Sequence, residues 1–154
     1  MFINFLINFL HLENGDAAYY LPWYTGVGQI VGSIVPFACS LVFVLLFYYA
    51  WCRIKAVNTF HWCLAGFVNM IVTLILCVFI GRASLANFVS DLGEEYLDLW
   101  YRITTWPFTT DVWIFALNAV IWTMLFYFIL SVLLKRWSPV WNIPFGKRYK
   151  KAIN

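Results

Sequence analysis

Three long apolar stretches limit what this 154-residue chain can fold into. They cover residues 26–52, 60–81 and 111–134, and none has an Asp, Glu, Lys or Arg in its interior. Each is longer than the roughly 20 apolar residues that an α-helix needs to cross a hydrocarbon core of about 30 Å. Charged residues are only 11% of the chain, against about 25% in soluble domains. We therefore predict an all-α integral membrane protein with three transmembrane helices.

The charged residues between these stretches predict how the chain is oriented. Because alternate connecting segments share a side of the membrane, one side has eight basic and no acidic residues, and the other has seven acidic and two basic residues. Basic residues stay on the cytoplasmic or equivalent side. We therefore expect an outer N-terminus and an inner C-terminus, in a cytoplasmic or organellar inner membrane. Residues 1–154 are expected to form a single membrane domain.

The N-terminal residues 1–12 are predicted to form a short interfacial helix. They place Asn4, Asn8 and His11 at helical spacing among apolar side chains. Twelve residues are too few to cross a bilayer as a helix. They also lack the basic n-region and the cleavage site of a signal peptide, so we expect this segment to be retained.

Residues 84–104 are predicted to form an amphipathic helix on the outer membrane surface. Apolar side chains recur there at intervals of three and four, with polar side chains on the opposite face, which is typical of interfacial helices. Gly93 in the middle argues against one unbroken rod. The polar face carries four carboxylates, called the acidic cluster below: Asp91, Glu94, Glu95 and Asp98.

The acidic cluster allows two interpretations. Carboxylates grouped on one face could bind cations or perform acid–base chemistry. However, a calcium loop has oxygen ligands at alternate positions around a glycine turn, and that pattern is missing here. We favour a solvated helix face that forms no site. If the cluster does have a function, we expect it to gather cations or dock a basic partner rather than to catalyse a reaction.

The C-terminal residues 135–154 form a basic, aromatic tail with two prolines. Such a tail is suited to an anionic inner leaflet or to a partner on that side. It follows directly on a membrane helix, so we expect no contact with nucleic acid. The predicted contact residues are Lys135, Arg136, Trp137, Trp141, Lys147, Arg148, Lys150 and Lys151.

Small and polar residues within the spans are predicted to pack helices together. Small residues at steps of four let helix backbones approach closely, and an Asn in a span should face protein rather than lipid. The alternative is that the polar residues of the spans line an aqueous path between several copies. The predicted packing residues are Gly28, Gly32, Pro36, Ser40, Gly66, Asn69, Thr73 and Asn118; Gln29, Ser33 and Thr123 are the further polar residues of the spans.

No catalytic, cofactor or metal constellation is visible in the sequence. His11 and His61 fall on opposite sides of the membrane in the predicted topology, and no two cysteines have the C-x-x-C spacing of many metal and redox sites. We expect no cofactor and no metal. The four cysteines are predicted to be inert packing thiols: Cys39, Cys52, Cys63 and Cys77.

Three classes of function are compatible with this layout. We favour a non-catalytic membrane protein that acts by assembly, as a structural or accessory subunit that packs, through its small-residue and Asn stripes, against copies of itself or a larger membrane protein. The alternative is a homo-oligomeric pore or channel with an acidic outer mouth, of a lysis or defence type. An enzyme acting on lipid is the least favoured class, because its chemistry would depend on few residues: Glu94, Glu95, Asp98, Arg102 and Asp111.

Overall fold

The computed structural model describes residues 23–51, 57–106 and 110–135, and every regular element in these ranges is helical. The predicted helix over 1–12 and the tail beyond Lys135 lie outside the described residues. The α-helices, in chain order, are α1 at Gln29–Leu45, α2 at Thr59–Ser90, α3 at Leu97–Thr104 and α4 at Thr110–Leu134, with π-helical turns at Tyr24–Gly28 and Leu46–Trp51 and a 3-10 turn at Glu94–Tyr96.

Three helical segments are long and apolar enough to cross a membrane, as predicted. They are Gly26–Trp51, Thr59–Ser90 and Val112–Leu134, with 26, 32 and 23 residues. At about 1.5 Å per residue, they measure roughly 39, 48 and 35 Å, so each exceeds a hydrocarbon core of about 30 Å. The first span includes α1 and most of the two π-helical turns on either side of it.

Helix α2 does not end near Gly81, where the second apolar stretch ends, but continues to Ser90. Gly81 lies inside the helix, and a ring from another helix packs against it. A Cβ atom at this position would come within 2.7 Å of Cδ1 of Phe115 in α4. The glycine is therefore a point of close helix approach rather than a helix end.

The predicted helix over 84–104 is wrong as a single element. Residues 84–90 belong to α2, and the chain then turns at 91–93, where Gly93 has a φ of 119°. A 3-10 turn and α3 follow. Arg82 donates an Nη2 hydrogen bond to the carbonyl oxygen of Thr104, at 2.9 Å. This bond holds the end of α3 against α2 and satisfies a carbonyl at a helix C-terminus.

Contacts between the spans show their relative directions. In α1 and α4, Gly32 lies beside Phe115 and Ser40 bonds to Thr123, so the two helices run parallel. In α2, Gly81 lies beside Phe115. Gly66, near the start of the same helix, lies beside Tyr127, so α2 runs antiparallel to α4.

Two apolar clusters fill the bundle. One contains Trp23, Leu85, Ile103 and Phe115, and it includes the buried side chains of α3. The other, near the start of α2, contains Phe47, Tyr48, Ala65 and Tyr127. The buried polar residues Ser40, Asn69 and Thr123 lie between the two clusters. Large apolar side chains on the outward sides of all three spans are exposed, among them Ile30, Phe67 and Leu133.

Candidate functional site

A layer of polar side chains crosses the middle of the bundle and joins all three spans. Ser40 of α1, Asn69 of α2 and Thr123 of α4 are each 0% exposed. Asn69 donates from Nδ2 to Ser40 Oγ at 3.2 Å, and Ser40 donates to the carbonyl oxygen of Thr123 at 3.2 Å. Thr123 Oγ1 in turn donates to the carbonyl oxygen of Ala119 at 2.8 Å. This chain of bonds is called the polar layer below.

The polar layer has the composition that membrane helices use for packing. Small side chains let the backbones approach, and interhelical bonds of this type stabilise a bundle by about 0.6 to 2 kcal/mol each. Ser40 can reach the backbone of α4 because the neighbouring positions of its stripe, Gly32 and Pro36, are also small and buried. The geometry therefore serves cohesion of the protomer.

Three buried oxygen atoms have no hydrogen-bond partner within residues 23–51, 57–106 and 110–135. They are Asn69 Oδ1, Thr73 Oγ1 and Asn118 Oδ1. Leaving a buried acceptor unpaired costs about 1 to 3 kcal/mol. The polar layer is thus unsatisfied at Asn69 Oδ1 by the described protein groups, and all three oxygens are acceptors that a small hydrogen-bond donor could use.

The predicted packing residues fall into two groups in the structure. Gly32 and Gly66 meet aromatic rings of α4, since a Cβ would come within 3.1 Å of Phe115 and 3.0 Å of Tyr127, respectively. Gly28 instead meets the turn before it, across the kink at Gly26, where a Cβ would lie 3.0 Å from the carbonyl oxygen of Trp23. The small-residue stripe therefore contacts other parts of the same protomer, whereas the sequence led us to expect it to face further copies or a partner protein.

The polar residues of the spans are mostly turned inward. Gln29 and Ser33, near the start of α1, are exposed, and Ser33 Oγ donates to the carbonyl oxygen of Gln29 at 2.8 Å. The remaining ones are buried in the protomer: Ser40, Asn69, Thr73, Asn118 and Thr123.

Near the two ends of the bundle, a tryptophan of one span donates a hydrogen bond to a serine of another. The sequence did not predict these contacts. Trp23 Nε1 donates to Ser84 Oγ at 2.9 Å, and Trp62 Nε1 donates to Ser131 Oγ at 3.0 Å. Tyr127 adds a second bond at Trp62, because its hydroxyl donates to the carbonyl oxygen of Trp62 at 3.0 Å. A buried indole N–H usually has a partner, but the sequence does not show which serine provides it.

The acidic cluster is exposed but does not form one helical face. Asp91 follows the end of α2, Glu94 and Glu95 lie in the 3-10 turn, and Asp98 lies in α3. Gly93 separates the first carboxylate from the other three. The four carboxylates therefore surround a turn, which is called the acidic turn below.

His61 belongs to the start of α2. Its backbone N–H donates to Oδ1 of Asn58, the N-cap residue, at 3.1 Å, and its ring Nδ1 lies 2.6 Å from the same oxygen. An amide oxygen only accepts hydrogen bonds, so Nδ1 carries the proton in this arrangement. His61 also packs edge to face with Trp51 and Phe60. These contacts give the imidazole a structural role at the helix end.

Within the described ranges, no three His, Cys, Asp or Glu side chains are grouped closely enough to hold a metal ion. Cys39, Cys63 and Cys77 are free thiols on the spans. Several predicted contact residues lie outside the described residues, and so do His11, Cys52, Arg53 and Lys55. Asp111 is described only as part of helix α4, without its side chain. The predicted tail residues in this group are Arg136, Trp137, Trp141, Lys147, Arg148, Lys150 and Lys151.

No protein-family model, no curated protein and no solved structure matches this chain.

Proposed function

We propose that this protein is a non-catalytic integral membrane protein that acts by assembly, as a structural or accessory subunit of a membrane complex. Its partners are membrane lipids and either further copies of itself or a larger membrane protein, without nucleic acid. The observation that carries the proposal is that polar side chains of the spans form hydrogen bonds between the helices of one protomer. Ser40, Asn69 and Thr123 are bonded to one another's helices inside the protomer, which supports a rigid three-helix unit.

In the described residues, the surface left for partners has two parts. Exposed large apolar side chains on all three spans can contact lipid or neighbouring spans. The acidic turn, with four exposed carboxylates, offers negative charge to a basic partner segment. The basic residues predicted on the other side would contact an anionic leaflet. Together these features support attachment rather than chemistry.

The arrangement of ionisable groups favours assembly over lipid-modifying catalysis. General acid–base chemistry needs two groups held within reach of one substrate atom. In the described residues, His61 is bound to Asn58 at the start of α2. The carboxylates of the acidic turn are exposed and distributed over separate elements at the other end of that helix. Catalysis by any of these groups is not proposed.

The pore remains the alternative function, and the positions of Asn69 and Asn118 favour assembly over it. A pore between copies needs polar side chains on the outside of each protomer. Asn69 is 0% and Asn118 4% exposed, so the protomer would have to open its own bundle to present them. A liposome flux assay compares the wild type with Asn69→Leu and Asn118→Leu; flux that either variant abolishes would favour the pore.

Crosslinking in native membranes followed by mass measurement tests the proposed assembly. We expect crosslinked species larger than the monomer, either as multiples of its mass or with a second protein. Reversing the charge of the acidic turn with Glu94→Lys and Glu95→Lys should reduce their yield if this turn docks a basic partner. Thr105→Lys is the control, because it adds a positive charge to an exposed residue outside the turn. Monomer as the only species, with no co-purifying partner, would contradict the proposal.

A further inference from the structure

A groove of about 600 Å³ opens on the surface of the bundle, between the start of the first span and the second half of α2. Trp23 and Val27 line it from the first span, and residues from Phe79 to Asp91 line it from α2. At about 1.5 Å per residue, this part of α2 extends over roughly 18 Å. That length is sufficient for a phospholipid headgroup and the upper part of its acyl chains.

The lining of the groove changes from apolar to polar along α2. Phe79 and Ile80 lie at the end nearer the middle of the span, and Val27 adds an apolar side chain from the first span. All three side chains are exposed; for Phe79 the exposed fraction is 58%. Asn87 and Asp91 lie at the opposite end, close to the turn that follows α2. A lipid that lies along α2 would therefore place its acyl chain beside the apolar residues and its headgroup beside the polar ones.

The centre of the groove is held by a buried side chain. Trp23 is only 2% exposed, packs edge to face on Phe115 at 5.1 Å between ring centroids, and donates to Ser84 Oγ at 2.9 Å. These contacts fix one wall of the groove against α2. The Ser84 oxygen accepts the indole bond, so its hydroxyl hydrogen can be donated to a ligand oxygen. Asn87 adds an amide donor one turn further along.

The charge at the polar end selects the headgroup. Asp91 provides a carboxylate that lines the groove, and Glu94 and Glu95 follow it in the acidic turn. These charges repel an anionic headgroup and attract a cationic one. An ammonium group donates charged hydrogen bonds to a carboxylate, and these are stronger than neutral ones.

From this geometry we propose that the groove is a binding site for a phospholipid with an ammonium headgroup, represented by phosphatidylethanolamine. The ammonium group binds Asp91, the phosphate oxygens accept from Ser84 and Asn87, and an acyl chain lies along Ile80, Phe79 and Val27. The site goes beyond the proposed assembly function, since it assigns one lipid headgroup to a defined groove rather than general contact with the membrane. It also does not depend on that function.

Native mass spectrometry of the full-length protein tests the headgroup. The protein is reconstituted in vesicles with equal amounts of phosphatidylethanolamine and phosphatidylglycerol of the same acyl chains, then extracted in mild detergent. We expect retained phosphatidylethanolamine to exceed phosphatidylglycerol. Asp91→Asn should lower that ratio by about fivefold, the change expected from one partly solvated charged hydrogen bond. Asp98→Asn is the matched control, because Asp98 is an exposed carboxylate on α3 that does not line the groove.

Equal retention of the two lipids by the wild type would overturn the proposal. So would equal losses in Asp91→Asn and Asp98→Asn, since the effect would then come from the general negative charge of this surface. A steric test is independent of charge. Ala83→Trp places a large ring in the groove and should abolish specific retention, whereas Ala38→Trp on the exposed side of α1 should not. Unchanged retention in Ala83→Trp would contradict the site, provided that both variants keep the helical circular dichroism of the wild type.

Photocrosslinking identifies the occupant directly. Ile80 is replaced by a diazirine-bearing leucine analogue, and the illuminated protein is digested and analysed by mass spectrometry. A phosphatidylethanolamine adduct at residue 80 supports the proposal. A crosslink to a peptide from residues 1–22, which precede Trp23 in the chain, or to another protein would overturn lipid as the occupant.

Discussion

Asn69 of α2 donates a hydrogen bond to Ser40 of α1 at 3.2 Å, in the layer that separates the two apolar clusters. The same serine donates to the backbone of α4 at Thr123. One hydroxyl group therefore connects all three spans. In the polar layer, the bundle therefore depends on the small side chain of Ser40, whose hydroxyl both accepts and donates a hydrogen bond.

Ser40→Ala should destabilise the bundle by about 1 to 2 kcal/mol. The substitution removes the bond to Thr123 and leaves the Asn69 amide without its acceptor in a buried site. The free energy of unfolding is measured in mixed micelles by titration with a denaturing detergent. Ser33→Ala is the control, because Ser33 is exposed on the same helix and bonds only to the carbonyl oxygen of Gln29 among the described residues. Equal effects of the two substitutions would show that the polar layer has no special role.

Gly81→Ala should destabilise the contact between α2 and α4 by about 1 to 3 kcal/mol, the usual effect of overpacking a core. Its Cβ would lie 2.7 Å from Phe115 Cδ1 and 2.8 Å from Cε1, so the ring has to move. The control is the same substitution in a Phe115→Leu background, where the clash is relieved. A double-mutant cycle then gives the coupling energy. Additive effects of the two substitutions would contradict the close contact.

Trp62→Phe should lower stability by about 1 kcal/mol, because phenylalanine keeps most of the ring but cannot donate to Ser131. In a cycle with Ser131→Ala, we expect a coupling energy of about 0.5 to 1.5 kcal/mol. Trp106→Phe serves as the comparison, since Trp106 is 70% exposed. Thermal unfolding followed by circular dichroism is sufficient for the measurement. Zero coupling would mean that the indole and the hydroxyl do not interact.

Gly93→Ala and Gly93→Asn should both loosen the acidic turn. Gly93 has φ 119° and ψ 174°, a region that is essentially restricted to glycine and costs other residues about 1 to 3 kcal/mol. Asparagine tolerates the ordinary left-handed helical region, but that region does not include this ψ. We expect faster hydrogen exchange in residues 94–104 of both variants, with no change in α4. Leu92→Ala, at the preceding exposed residue, should leave that exchange unchanged. Protection of 94–104 at the wild-type level in Gly93→Ala would contradict the turn geometry.

The second span shows where sequence patterns stop being informative. Its apolar run ends at Gly81, next to Arg82, and both residues predict a helix end at the membrane surface. Instead the helix continues to Ser90, Gly81 packs against Phe115, and the Arg82 guanidinium bonds to Thr104 of α3. The contacts of Gly81 and Arg82 join segments that are distant in the chain, and a local sequence pattern does not contain them.

The amino-acid sequence by itself determined that three helices are long and apolar enough to cross a membrane, because apolar length and the exclusion of charge are properties of each segment alone. It also favoured protein contacts over lipid for Gly32, Asn69 and their neighbours, with an aqueous path between copies as the alternative. Only the tertiary structure decided which surfaces those residues meet. Hydrogen bonds and close ring contacts act over about 3 Å, so Ser40 finds Asn69, and Trp23 finds Ser84, only after the helices have taken their positions.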